Sequence, residues 1–167
     1  MRIYSTAFPE GGEIPIKNTQ EAEDLSPELV FEDIPSETKS LVLISDDPDA
    51  PDPQAPKLLW LHWLVVNLPA TCTGLAEGIK TLPSPAIAGV NDCDEQGWSG
   101  PRPPIGVHRY YFHLYALDKT LDLKPGFRRA DVESLKIYVT TESGWEFFGF
   151  PGRFFLRTGP RLFTITH

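Results

Sequence analysis

Apolar and polar positions alternate with a period of two along residues 107–117, VHRYYFHLYAL. His108, Tyr110, Phe112, Leu114 and Ala116 fall on one face, with Val107, Arg109, Tyr111, His113 and Tyr115 on the other. An alternating run so rich in aromatics predicts a β-strand. Residues 40–45 form an apolar run, SLVLIS, that ends in the acids of DDPDAP, and residues 60–68 (WLHWLVVNL) are almost continuously apolar; both read as buried strands. Residues 2–8 read as a first strand closed by Pro9 and Gly11-Gly12, and residues 29–31 as another, set off by a Pro35-containing turn. The polar, acidic stretch 17–28 is a connection with Ser26-Pro27 as a turn or short helix start. Residues 50–57 are a Pro-rich loop, 71–105 mostly loop, and 131–135 the best helix candidate. Strands joined by turns, without alternating long helices, predict an antiparallel sheet or sandwich and not a βαβ fold.

Composition supports this picture. Thirteen Gly and 17 Pro beside 19 aromatic rings (four Trp, five Tyr, ten Phe) suit many short strands and rigid turns. A chain of 167 residues is long enough for one domain with a real core and short for two. The net charge of −8 argues against nucleic acid and anionic membrane surfaces as partners. No segment reaches the ~20 apolar residues of a membrane span, and the start MRIYSTAFPEGGEIP has no signal-peptide core, so integral membrane association is excluded and a cytoplasmic location expected. Cys72 and Cys93 lack metal-type spacing and default to free thiols, with a single bridge left open.

Chemistry concentrates at three strand ends. Asp46, Asp47 and Asp49 are locked between Pro48 and Pro51, and His62 lies among large apolar neighbours. The loop GWSGPRPPIGV delivers His108 onto its strand; Pro101, Pro103 and Pro104 stiffen it while Gly97, Gly100 and Gly106 allow tight bends. Each residue also has a plain structural role open to it: Asp47 and Asp49 as turn-capping acids, His62 and His108 as satisfied core imidazoles, Arg109 as a surface ion pair. The coincidence of ionisable groups with Pro and Gly at three separate places favours a pocket presented by a rigid scaffold. Arg153, Arg157 and Arg161 recur every four residues, but Gly159 and Pro160 rule against a helix, so they read as solvated charges.

At these residues the chain resembles the phosphatidylethanolamine-binding protein (Raf kinase inhibitor protein) family, its bacterial and archaeal type most closely. Ser26-Pro27-Glu28-Leu29 with Ile34-Pro35, Asp47-Pro48-Asp49-Ala50-Pro51, His62-Trp63 followed by Asn67-Leu68-Pro69, Gly100-Pro101-Arg102-Pro103-Pro104, and Gly106-Val107-His108-Arg109-Tyr110 follow the family's motifs in order. The likeness covers residues 8–123. It implies a mainly β fold, a large central antiparallel sheet packed on a smaller one with a few peripheral helices, as one domain over residues 1–167. It also implies an anion pocket lined by Asp47, Asp49, Trp60, His62, His108 and Tyr110, with Gly100, Pro101 and Pro103 in its rim. Residues 136–167 depart from the family's closing helix and strand and read as a divergent tail.

The expected function is therefore a non-catalytic binding protein that captures a phosphate-bearing or other anionic group, such as a phospholipid head group, nucleotide or phosphorylated ligand. No cofactor, metal or catalytic residue is assigned. The resemblance leaves open regulation of a partner kinase or protease, and a homodimer. The competing reading is a metal- or acid/base-dependent phosphoester hydrolase built on the same acids and histidines. Against it, the chain has no metal-type spacing and no nucleophile motif.

Overall fold

A computed structural model describes residues 1–135 in full and, beyond them, the backbone of residues 137–141, 144–148 and 161–165. In chain order the strands are β1 (Arg2–Tyr4), β2 (Leu29–Glu32), β3 (Ser40–Asp47), β4 (Trp60–Pro69), β5 (Gly74–Leu75), β6 (Ile87–Ala88) and β7 (His108–Leu117). They are followed by helix α1 (Arg129–Glu133) and by β8 (Ile137–Thr141), β9 (Gly144–Phe148) and β10 (Arg161–Ile165). All pairings are antiparallel. A three-stranded sheet runs β1-β2-β5, and a seven-stranded sheet runs β6-β4-β3-β7-β8-β9 with β10 also against β7. This is the mainly β, two-sheet architecture expected from the sequence.

The two sheets meet over one core. Ile3, Leu29, Phe31 and Leu75 of the small sheet pack on Leu41, Leu43, Trp63, Val65, Tyr110, Phe112 and Leu114 of the large one. Its other face carries a second cluster, Val42, Ile44, Leu61, Leu64 and Val66, roofed by Leu121, Phe127 and Val132. Because β3 lies between β4 and β7 with both faces covered, all eight of its residues are buried. That is why its sequence is a continuous apolar run, whereas β7 alternates.

Two irregularities in the β3–β4 ladder shape the end of the sheet and its far connection. Ser45 pairs with Trp63 and Asp46 with Leu61, so His62 is an extra residue bulged out of β4. Farther along, Leu41 pairs with Leu68 and Leu43 with Val65, a second bulge where Asn67 adopts φ 59°. Asn67 exploits that conformation: its side chain both donates to the Leu121 carbonyl (2.9 Å) and accepts from the Leu121 N–H (2.7 Å).

Boundaries differ from the sequence reading where local hydrogen bonds intervene. The first strand ends at Tyr4 and not at residue 8, because the Ser5 hydroxyl accepts the Ala7 N–H and turns the chain; Phe8 still enters the core. The helix begins two residues before the expected 131–135, since Asp131 accepts the Arg128 N–H (2.7 Å) and so belongs to its first turn. Residues 71–105 contain two-residue strands, β5 and β6, too short to show a period. Cys72 and Cys93 are free. In the tail, β10 runs beside β7 with Ile165 opposite His108; Arg153 and Arg157 lie outside the described residues. Among the described residues no helix is long and apolar enough to cross a membrane.

Candidate functional site

β3 ends where β4 and β7 begin, so their motif residues gather at one end of the large sheet. Asp47 closes β3 and His108 opens β7; the His108 Nδ1 lies 2.7 Å from Asp47 Oδ2, and both side chains are almost fully buried. The other ring nitrogen, Nε2, faces the Ile105 carbonyl at 3.1 Å. Both partners are acceptors, and only the doubly protonated ring donates to both. Asp47 Oδ1 meanwhile takes the Asp49 N–H (2.7 Å). This pair is closed: every polar atom in it has a partner.

Asp49 is closed as well, by a different residue. Its carboxylate accepts the Arg109 backbone N–H (2.9 Å), Nε (2.8 Å) and Nη2 (2.6 Å), and this hydrogen bonding holds its carboxyl below the usual range while raising the guanidinium. The acid expected to line a pocket is thus committed to Arg109.

His62 stands in contrast. Its bulge turns it and Trp63 toward the same side, so that both rings meet Trp98, at centroid distances of 6.2 and 5.7 Å. His62 Nδ1 lies 2.6 Å from the Ser99 carbonyl and must carry the proton, but Nε2 is buried with no partner. Burial lowers the basicity of His62 against the opposing pull of the Ser99 bond and of Asp47, so the ring is neutral and presents Nε2 as a bare acceptor. Tyr110, edge-on to His62 at 5.3 Å and stacked on His108 at 6.5 Å, joins the two histidines. Burial first, and then Asp47 and Asp49, raise its phenol, which stays a neutral donor. Trp60 pairs with Asp47 across the β3–β4 ladder and is half-buried.

The rim loop is held from behind. The Gly100 N–H donates to Asp24 Oδ1 (2.7 Å), Gln20 binds Ser99 Oγ (2.7 Å), and the Gln20 N–H reaches the Pro101 carbonyl (3.2 Å). A Cβ at Gly100 would lie 2.4 Å from Asp24 Oδ1 and 2.5 Å from the Asn18 carbonyl, so only glycine fits. Pro101 and Pro103 are buried, Arg102 and Pro104 exposed. The amide of Gly100, a residue of the expected rim, is therefore taken by Asp24. Asp24, Trp98 and Ser99 did not emerge from the sequence as site residues; the one local hint was an acidic segment running into Ser26-Pro27.

Among the described residues no three His, Cys, Asp or Glu side chains are grouped to hold a metal ion. The arrangement supplies a bare imidazole nitrogen, a phenol and a buried His–Asp contact, groups able to bind and orient a ligand.

A family model described as phosphatidylethanolamine-binding protein matches residues 4–137, reaching past the 8–123 of the motif resemblance. A UPF0098 protein of Methanothermobacter thermautotrophicus is 44% identical over 147 residues, spanning 86% of this chain and 94% of the relative. Another, from Aquifex aeolicus, is 41% identical over 138 residues, 80% of this chain and 78% of its own. Among solved structures, a phosphatidylethanolamine-binding protein homologue of Chlamydia trachomatis superposes with a TM-score of 0.73 at 34% identity, covering 98% of this chain and 91% of that one. Escherichia coli YbcL, described as a new member of the mammalian family, gives 0.70 at 30% identity over 78% of this chain and 85% of its own.

Proposed function

This chain belongs to the phosphatidylethanolamine-binding protein family, and from that premise we propose that it is a non-catalytic binding protein of the cytoplasm whose pocket captures a phosphate-bearing or similar anionic group between His62 and Tyr110. One observation carries the reading: His62 Nε2 is buried without a partner. Leaving such an atom unpaired costs about 1–3 kcal/mol, so a native fold that keeps one invites a ligand to satisfy it. A monoprotonated phosphate donates its P–O–H to Nε2, while its other oxygens accept the Tyr110 hydroxyl. A phosphomonoester dianion, which carries no proton, binds instead with uptake of one by His62; for a phosphomonoester both routes make binding stronger as pH falls.

Calorimetric titration with inorganic phosphate and with phosphoethanolamine tests this. Tyr110→Phe removes one donor without altering the packing and should weaken both ligands about tenfold, the equivalent of one lost hydrogen bond of about 1.4 kcal/mol. Unchanged affinity for both ligands in Tyr110→Phe and His62→Phe rejects the pocket. Release of inorganic phosphate from phosphoethanolamine would reject the non-catalytic reading.

A further inference from the structure

A cavity of about 320 Å³ is lined by Asp24, Ser26, Trp63, Lys80, Gln96 and Trp98 together with small and aliphatic residues. Asp47, His62 and His108 are not among its walls, so it is separate from the pocket between His62 and Tyr110. Its size is at the lower end for sites that hold small molecules, roughly 300–1,000 Å³.

The walls define a chemistry. Trp98 is fixed, stacked on Phe112 (5.9 Å, 19°) and edge-on to Trp63 (5.7 Å, 72°), so its indole cannot swing out of the way. Its N–H is buried and makes no hydrogen bond of ordinary length, although it lies near enough to Asp24 to favour the carboxylate. Asp24 sits half-buried beside that N–H, and its Oδ1 accepts the Gly100 N–H. Burial, and after it the charge of Glu95, works against the ionised form of this acid. An anion would meet a carboxylate here, and an apolar guest would cover that carboxylate without balancing its charge. No group of metal ligands is present among the described residues. A cation with an organic surface satisfies both walls at once, pairing with Asp24 and resting on the indole. Lys80, the one cation among the described walls, is exposed, and the chain's net charge of −8 favours cation approach.

We propose that this cavity is a second binding site, for a small organic ammonium compound, with Asp24 as counter-ion and the Trp98 ring as its aromatic wall. The site stands apart from the anion pocket and does not depend on it.

The test uses the full chain, choline and butylammonium as probes, and dimethylbutanol as the uncharged isostere of choline. Calorimetry should show at least one ammonium probe binding at least about tenfold more tightly than dimethylbutanol, with a change in tryptophan fluorescence. Asp24→Asn, which keeps an oxygen for the Gly100 N–H, should weaken that probe at least about tenfold, and Trp98→Phe should weaken it less. Tyr110→Phe should leave it unchanged while weakening phosphate, which separates failure of this site from failure of the anion pocket. The proposal is overturned if neither ammonium probe binds at up to about 10 mM, if dimethylbutanol binds as well as choline, or if Asp24→Asn and Trp98→Phe, both with native melting temperatures, bind as the parent does.

Discussion

The two histidines of the site differ in how their ring nitrogens are partnered. At the β3–β7 end, His108 and Asp47 share a buried 2.7 Å contact and Asp49 is wrapped by Arg109, so charge is neutralised within the protein. At the β4 bulge, a few ångströms away through the Tyr110 ring, His62 spends one nitrogen on Ser99 and leaves the other bare. Paired groups hold a shape; an unpaired one is left for something else to complete. On the proposed reading, the same acids and histidines divide into a frame and a receptor.

The contrast is broken most severely at the frame. His108→Ala strands Asp47 as a buried, uncompensated charge and should cost about 3–5 kcal/mol in chemical denaturation, enough to remove much of a domain's stability. A loss below about 1 kcal/mol would show that the pair does not brace the fold. His62→Phe, by comparison, gives up one hydrogen bond to a carbonyl and removes an unsatisfied atom, so it should cost only about 1–2 kcal/mol while phosphate binding disappears. Equal destabilisation by the two substitutions would erase the distinction between frame and receptor. Arg109→Ala sits lower still: the guanidinium is half exposed, solvent screens it, and the backbone N–H still serves Asp49, so about 1 kcal/mol is expected.

The smallest effect is a pH signature. The imidazole of His62 is held below its ordinary value of 6.5, so the unfolded chain takes up a proton there before the folded chain does. Its contribution to stability is complete above pH 6.5 and lost as pH falls from 6.5 toward the depressed value. Asp49, held below its ordinary 3.8, contributes in full above that value and is lost as pH falls further. Between pH 7.5 and 5, urea melts should therefore show the parent losing stability relative to His62→Phe as pH falls; parallel curves would mean His62 is not a buried neutral base.

Much of this was legible in the chain because strands announce themselves by local period. The face shared by His108, Tyr110 and Phe112 follows from alternation alone, and the burial of β3 from its unbroken apolar run. What escaped depends on register and on distant partners. The bulge that turns His62 inward exists only because Ser45 and Asp46 pair with Trp63 and Leu61, a relation between two strands that neither sequence records by itself. Asp49 reads as a pocket acid, but its bonds to Arg109, 60 residues on, and the docking of Gly100 on Asp24, 76 residues away, are relations that no local pattern records. The order of motifs identified the family; the division of labour within the motifs needed coordinates.

The most direct test of that division is a nitrogen-resonance titration of histidine-labelled protein with inorganic phosphate, tractable because the chain has only four histidines. In the free protein His62 should show a protonated Nδ1 and a bare Nε2, and His108 two protonated nitrogens. Added phosphate should move the His62 Nε2 resonance sharply toward the hydrogen-bonded or protonated range and leave His108 in place. A bare nitrogen on His108, or phosphate binding that leaves His62 Nε2 unmoved, would contradict the account.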